Sequence, residues 1–136
     1  MKINILIILC FLTLSCSAQK KPAESAESFV EISFGSGGGF TGLSKNFLLK
    51  SNGKVYRSVK DKLVKTNKIS KSDIQRINTL INDQKFYDIN CSEKGNMTYF
   101  IEIKSADRNN KVSWTETSNE NGLKDLYKEL VKTLNP

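Results

Sequence analysis

Residues 29–42 read FVEISFGSGGGFTG. The first six alternate, with Val30, Ile32 and Phe34 toward one side, the period of a half-buried β-strand. The strand runs into FGSGGGFTG, residues 34–42, where five of nine residues are glycine. Gly37, Gly39 and Gly42 spell G-x-G-x-x-G. In a dinucleotide-binding unit that spacing turns a strand into a helix whose N-terminus holds a pyrophosphate. The residues after Gly42 therefore decide between a parallel, doubly wound sheet and an antiparallel one. They are Leu43-Ser44-Lys45-Asn46, then two apolar runs, 45–50 and 55–59, separated by Ser51-Asn52-Gly53-Lys54. Asn-Gly between two apolar runs is the strongest short hairpin signal, because both central residues must take positive φ. No helix start comes after the third glycine, and no Gly-Lys-Ser/Thr is present. Asp61 stands at about the distance of a ribose-binding acid, but beyond a hairpin. The segment is read as a strand connection, and no cofactor is expected.

The same signals continue along the chain. A two-residue Asn-Gly loop would pair Leu49 with Tyr56 and Phe47 with Ser58, leaving Leu48, Val55 and Val59 on the other face. Both faces are then partly apolar, so the register stays open. Lys60–Lys68 reads as a basic connector. Ser72-Asp73-Ile74-Gln75 reads as a capping box, followed by Ile74, Ile77, Leu80 and Ile81 on one helical face. That helix should end near Asp83, with Phe86, Tyr87 and Ile89 as core residues beyond it and a polar loop over residues 90–96. Thr98–Lys104 and Lys111–Glu116 alternate around a turn at residues 106–110, a second hairpin. Last, Leu123, Leu126, Tyr127, Leu130, Val131 and Leu134 keep helical spacing, with Asn119 or Asn121 as the cap. The order is strand, hairpin, helix, hairpin, helix. It predicts an α+β domain, an antiparallel sheet of about five strands with two helices packed on one face.

The chain begins with Met1-Lys2-Ile3-Asn4 and an apolar run to Leu14. That run is roughly a dozen residues, against the ~20 needed to span a bilayer, and reads as a signal peptide over residues 1–15. Leu12-Thr13-Leu14-Ser15-Cys16 resembles a bacterial lipobox, which makes Cys16 the lipidated residue of an exported, membrane-anchored lipoprotein, periplasmic or at the outer membrane. The alternative is ordinary cleavage after Ala18, giving a soluble periplasmic or secreted chain. Residues 16–28, small, polar and charged, form a flexible tether, and residues 29–136 form one domain.

The chain carries 21 basic and 14 acidic residues. Only Lys2 leaves with the signal, so the mature chain has twenty basic residues against the same fourteen acids, or +6. Lysine and glutamate are interspersed, which predicts a solvated surface, with weak attraction to an acidic partner or anionic surface as the alternative. Nothing in the pattern suggests nucleic acid, because no aromatic-basic ladder is present.

Chemistry is hard to assemble from these residues. There is no histidine for general-base or metal work. Cys91, the lone cysteine of the domain, has no partner and no imidazole to activate it, and is expected to be a small buried side chain. Glu31, Glu102 and Glu116 fall in predicted strands, where carboxylates are usually solvated. Trp114 and Tyr99 are expected in the core rather than at a binding surface. The chain is read as non-enzymatic, with no metal site.

Gly38-Gly39-Phe40-Thr41-Gly42, after a first strand and before a hairpin, resembles the Gly-Gly-Phe-x-Gly motif of emfourin-like proteins, small inhibitors of thermolysin-type metalloproteases. The order of the later elements is also similar. The chain also looks like small lipoproteins of Bacteroidetes-type bacteria that carry the same glycine segment. The resemblance implies a protein-binding module, with a metalloprotease as its partner and Gly37, Gly38, Gly39, Phe40, Thr41 and Gly42 as the contact segment. A structural or interaction lipoprotein without inhibitory activity is the alternative. The residues themselves allow two placements of Phe40: an exposed anchor presented by glycines that let the backbone approach a partner, or a core side chain beside a strand bend.

Overall fold

The computed structural model describes residues 27–40 and 42–135. The expected signal peptide (residues 1–15), Cys16, Ala18, most of the expected tether and Thr41 lie outside the described residues. The elements are β1 (Glu31–Gly38), β2 (Ser44–Lys50), β3 (Lys54–Val59), β4 (Lys62–Lys68), α1 (Lys71–Asp83), β5 (Met97–Lys104), β6 (Asn109–Thr115) and α2 (Asn121–Lys132), with a single 3₁₀ turn at Phe86–Asp88. Six strands form one antiparallel sheet in the order β4-β3-β2-β1-β5-β6. The fold class is α+β, as the order of elements predicted, with one strand more than the five expected. α1 carries the chain from the β4 edge back to β5, which pairs with the central β1.

The pleat sorts the core. On β1, Ile32 faces Leu49 on one side and Ile103 on the other; Phe34 faces Phe47 and Ile101. Val55, Val112 and Trp114 extend the same face, and Ile77, Ile81, Leu123, Leu126 and Leu130 of the two helices close over it in one buried cluster. Tyr127 of α2 sets its ring edge-on against Phe34, Tyr99 and Trp114, with centroids 6.3, 5.5 and 5.6 Å away, a geometry worth about 0.5–1.5 kcal/mol per pair beyond area burial. Among the described residues no helix covers the other face of the sheet. There Phe100 of β5 lies across Gly35, where an added Cβ would meet its ring at 3.1 Å and the Lys45 carbonyl oxygen at 1.9 Å. Glycine is required at that position because the neighbouring strand passes so close.

The structure corrects several local expectations. Lys62–Lys68 is a strand rather than a connector. It is joined to β3 by Lys60 and Asp61, both at positive φ (48° and 63°), a two-residue turn of the I′ kind. The β2–β3 register is Leu49 with Val55, Leu48 with Tyr56 and Phe47 with Arg57, one residue from that of a two-residue Asn-Gly loop. The loop has three residues, because Gly53 N–H closes a turn on Lys50 O (2.8 Å) and Gly53 itself takes φ 81°. The α1 capping box is Ser70 with Asp73, two residues before the expected pair. Ile69 precedes it and Ile74 follows, both against Gly53, as a hydrophobic staple places them. Glu120 occupies the N-cap of α2 with no side-chain bond, in place of either asparagine. Val30 stands before β1 and is half exposed, whereas Phe29 is buried. The Phe29 amide donates to Asn78 Oδ1 of α1 (3.2 Å), which turns the entering chain out of strand phase.

Candidate contact surface

The glycine segment is half strand and half turn. Through Gly37 the backbone continues β1, paired to Ser44 on one side and Thr98 on the other; Gly38 faces Met97. There the chain leaves the sheet. Gly38 and Gly39 take φ of 105° and 76°, and the Gly39 amide donates to the Asn96 carbonyl. The Gly42 amide then donates to the Gly39 carbonyl (3.1 Å), and Gly42 takes φ 61°. The chain thus reverses between Gly39 and Gly42, with Phe40 directly after the first of them; Thr41 lies outside the described residues. β2 begins two residues after Gly42, so the G-x-G-x-x-G spacing leads into a strand and not a helix. No helix N-terminus stands there to hold a phosphate.

Phe40 is fully exposed and Leu43 is 70% exposed. Of the two placements the sequence allowed, the structure takes the exposed one. Two shallow hollows flank the turn. One, about 400 Å³, runs from Gly39 past Gly95 and Met97 to Thr115 and Thr117. The other, about 410 Å³, runs from Gly37 and Gly38 over Ser44, Thr98 and Phe100. Lys94 lines both. Beside them the Gly95 amide donates to Thr98 Oγ1 (3.1 Å), and the Tyr99 hydroxyl donates to Glu116 Oε1 (3.2 Å). Burial, then the adjoining Glu116 carboxylate, holds the Tyr99 hydroxyl above its ordinary range.

The other candidate side chains sit elsewhere. Trp114 is buried, with Tyr99 stacked on it. Cys91 is buried and its thiol donates to the Ser113 carbonyl (3.1 Å); burial first, then the Glu120 and Glu93 carboxylates, push the thiol up. Glu31 is paired to Lys104 (2.9 Å), and Glu116 accepts from Tyr99. Glu102 faces Ser33 and Lys111 on the open side of the sheet. The three carboxylates are not gathered into one cleft. Among the described residues no group of three His, Cys, Asp or Glu is placed to hold a metal ion, and no helix is long and apolar enough to cross a membrane. Leu43 was not singled out in the sequence, because a leucine just before a strand carries no periodic signal of its own.

No family model matches the chain, and no curated protein matches it.

Proposed function

We propose that the chain is a non-catalytic protein-binding module of the cell envelope, anchored through lipid on Cys16, and that it meets its partner with the glycine turn. The observation that carries this reading is Phe40: a large aromatic side chain fully exposed on a turn whose base is fixed to the Asn96 carbonyl. An aromatic held out on a pre-ordered backbone binds with little ordering cost and has the character of an interface anchor. Leu43 and the two flanking hollows supply the apolar and polar surroundings such an anchor needs. The chain enters the domain at Phe29, at the opposite end of β1 from the turn, so the turn lies away from the tether.

The resemblance to emfourin-like proteins names the first partner to try, a thermolysin-type metalloprotease. The test is a titration of the chain from Ser17 onward against several such enzymes, with Phe40→Ala beside it. Inhibition that Phe40→Ala weakens at least about tenfold, as loss of an anchor does, supports the reading. Absence of inhibition at micromolar concentration removes the protease from it. Inhibition unaffected by Phe40→Ala removes the glycine turn. Anchoring is tested separately by metabolic labelling with a fatty-acid analogue: label that enters the unsubstituted chain and is abolished by Cys16→Ser supports the lipid on Cys16, and absence of label from the unsubstituted chain refutes it.

A further inference from the structure

The charge of the domain is not interspersed, as the sequence order suggested; it is segregated onto one hairpin. β3, β4 and their turn carry Lys54, Arg57, Lys60, Lys62, Lys65 and Lys68 against Asp61 alone. Elsewhere the charges balance, with two basic and two acidic residues from Glu27 to Gly53 and ten of each from Ile69 to Asn135. The seven ion pairs among the described residues all lie outside the hairpin. Every residue from Val59 to Thr66 is exposed. Among the cations stand three branched apolar side chains, Val59, Leu63 and Val64, 43%, 54% and 51% exposed.

Lysine on a free sheet edge is an ordinary device against strand-to-strand aggregation. Among the described residues β4 is such an edge and pairs with β3 alone. The opposite edge, β6, is met at its middle by the 91–93 segment: the Ser113 amide donates to the Cys91 carbonyl, and the Ser113 carbonyl accepts from the Glu93 amide. Edge protection explains the lysines of β4. It does not explain Val59, Leu63 and Val64, which raise the association risk that the lysines lower. A surface that is cationic and apolar at once suits a partner that offers anionic groups above an apolar layer; a hollow beside it, about 250 Å³, lies on the open face of the sheet, where Leu63 lines it with Ser58, Leu48 and Phe100.

We infer that the β3–β4 hairpin docks the domain onto a lipid bilayer rich in anionic headgroups. Val59, Leu63 and Val64 enter the boundary between headgroups and acyl chains, and the flanking cations lie on the phosphates. The strand pleat favours a bilayer over a folded protein. Leu63 and Lys65 alternate with Lys62 and Val64 along β4, so both faces of the hairpin are cationic and apolar. A folded partner would meet one face, whereas a bilayer into which the tip dips meets both. Asp61, the single acid, is flanked by Lys60 and Lys62. This surface is distinct from Phe40, and the inference does not rest on the protein-binding reading.

The test is co-sedimentation of the chain from Ser17 onward, without its acyl anchor, with vesicles of phosphatidylglycerol and phosphatidylcholine or of phosphatidylcholine alone. Binding is expected to the anionic vesicles only and to fall with added salt. Lys60→Glu with Lys62→Glu should weaken it at least about tenfold, and Lys65→Glu with Lys68→Glu should do the same by an independent route. Lys71→Glu with Lys85→Glu makes the same change in net charge at exposed positions outside the hairpin and should retain binding. Leu63→Ser with Val64→Ser should weaken binding several-fold even though no charge changes. A far-UV spectrum of each variant checks that it folds. No binding to anionic vesicles overturns the inference, and so does an equal loss in the Lys71 and Lys85 control. Binding of polyglutamate as tight as that of vesicles, with the Leu63 and Val64 variant unaffected, overturns it in favour of an acidic protein surface.

Discussion

Alanine at Gly38 and alanine at Gly37 should behave as opposites, although the two residues are neighbours in one glycine run. Gly38 is the last residue of β1 and takes φ 105°. A Cβ there would lie 2.2 Å from the Asn96 carbonyl oxygen and 3.2 Å from its carbon. That carbonyl cannot simply withdraw, because the Gly39 amide donates to it. The substitution therefore costs twice. Positive φ is unfavourable for an L-residue by about 1–2 kcal/mol. Displacing the carbonyl then loses a backbone hydrogen bond at the end of the β1–β5 ladder, about 1 kcal/mol more. A loss of about 2–4 kcal/mol is expected, a large fraction of the stability of a small domain. Gly37 has no positive φ, and a Cβ there would meet only the Ser44 Cβ at 3.6 Å, an ordinary contact. Gly37→Ala should change stability by no more than about 0.5 kcal/mol, with a slight gain from the stiffer unfolded chain. Urea denaturation of both variants, with the midpoint and slope fitted separately, reads the difference. Equal destabilisation would refute the reasoning, since it would mean that the whole run is conformationally special and not its exit from the sheet alone.

Three further outcomes rest on named contacts. Lys60→Asn should stabilise the protein by about 0.5–1 kcal/mol in the same denaturation assay, because asparagine tolerates the left-handed conformation that Lys60 holds at φ 48°; no gain would mean that the turn relaxes without strain. Asp73 accepts from the Ser70 hydroxyl (2.6 Å) and the Ser70 amide (3.2 Å), bonds that hold its carboxyl below the ordinary 3.8. A folded pKa below the unfolded one contributes stability that is full above the unfolded value and is lost as pH falls from there through the folded value, so Asp73→Asn should flatten the acid limb of stability in the window between the two values, and an unchanged limb would count against the capping box. Cys91, buried with its thiol pushed up, should resist thiol reagents in the folded protein and react at a rate that follows global unfolding; rapid labelling under native conditions would place it at the surface.

The parts of this fold that the sequence revealed are those where one face meets the core and the other meets water. β5 alternates Tyr99, Ile101 and Ile103 against Phe100, Glu102 and Lys104, and the α2 stripe of Leu123, Leu126 and Leu130 is buried as spaced. β4 escaped because it meets water on both faces. With no buried side, KLVKTNK has no reason to alternate, and its turn, Lys60-Asp61, lacks the glycine or asparagine that announces positive φ. Reading residues 60–68 as a connector also concealed the charge asymmetry, because lysines that look scattered along a loop become a patch once two strands bring them together. The α1 start was missed for a different reason. Ser70-x-x-Asp73 and Ser72-x-x-Gln75 are both plausible boxes, and only the burial of Ile69 against the β2–β3 turn chooses between them. At the candidate contact surface the glycines were legible and the aromatic was not. Phe40 comes after three glycines and carries no period, so nothing local fixes whether its ring turns inward.

The structure divides the glycine run by cause. Gly35 is glycine because the Lys45 carbonyl and the Phe100 ring leave no room for a Cβ. Gly38 is glycine because the chain leaves the sheet there at an angle L-residues avoid, against the Asn96 carbonyl. These two positions are settled by folding alone and say nothing about function. Gly37 meets only ordinary contact, and at Gly42 a Cβ would meet nothing within 4 Å, so neither is glycine for want of space, although Gly42 retains its φ of 61°. The uniform glycine-rich segment thus resolves into a rigid exit from β1 and an open turn beyond it. A rigid base under an open turn separates the two roles experimentally. Substitutions at Gly35 and Gly38 act through stability, and any loss of binding they cause should be recovered at lower temperature or under stabilising conditions. Substitutions at Phe40 and Leu43, whose side chains stand in solvent, should leave the unfolding midpoint unchanged and act on binding alone. A Phe40→Ser variant that lowered the midpoint by more than a surface substitution does, about 0.5 kcal/mol, would show that the ring supports the fold and would remove it as a contact residue.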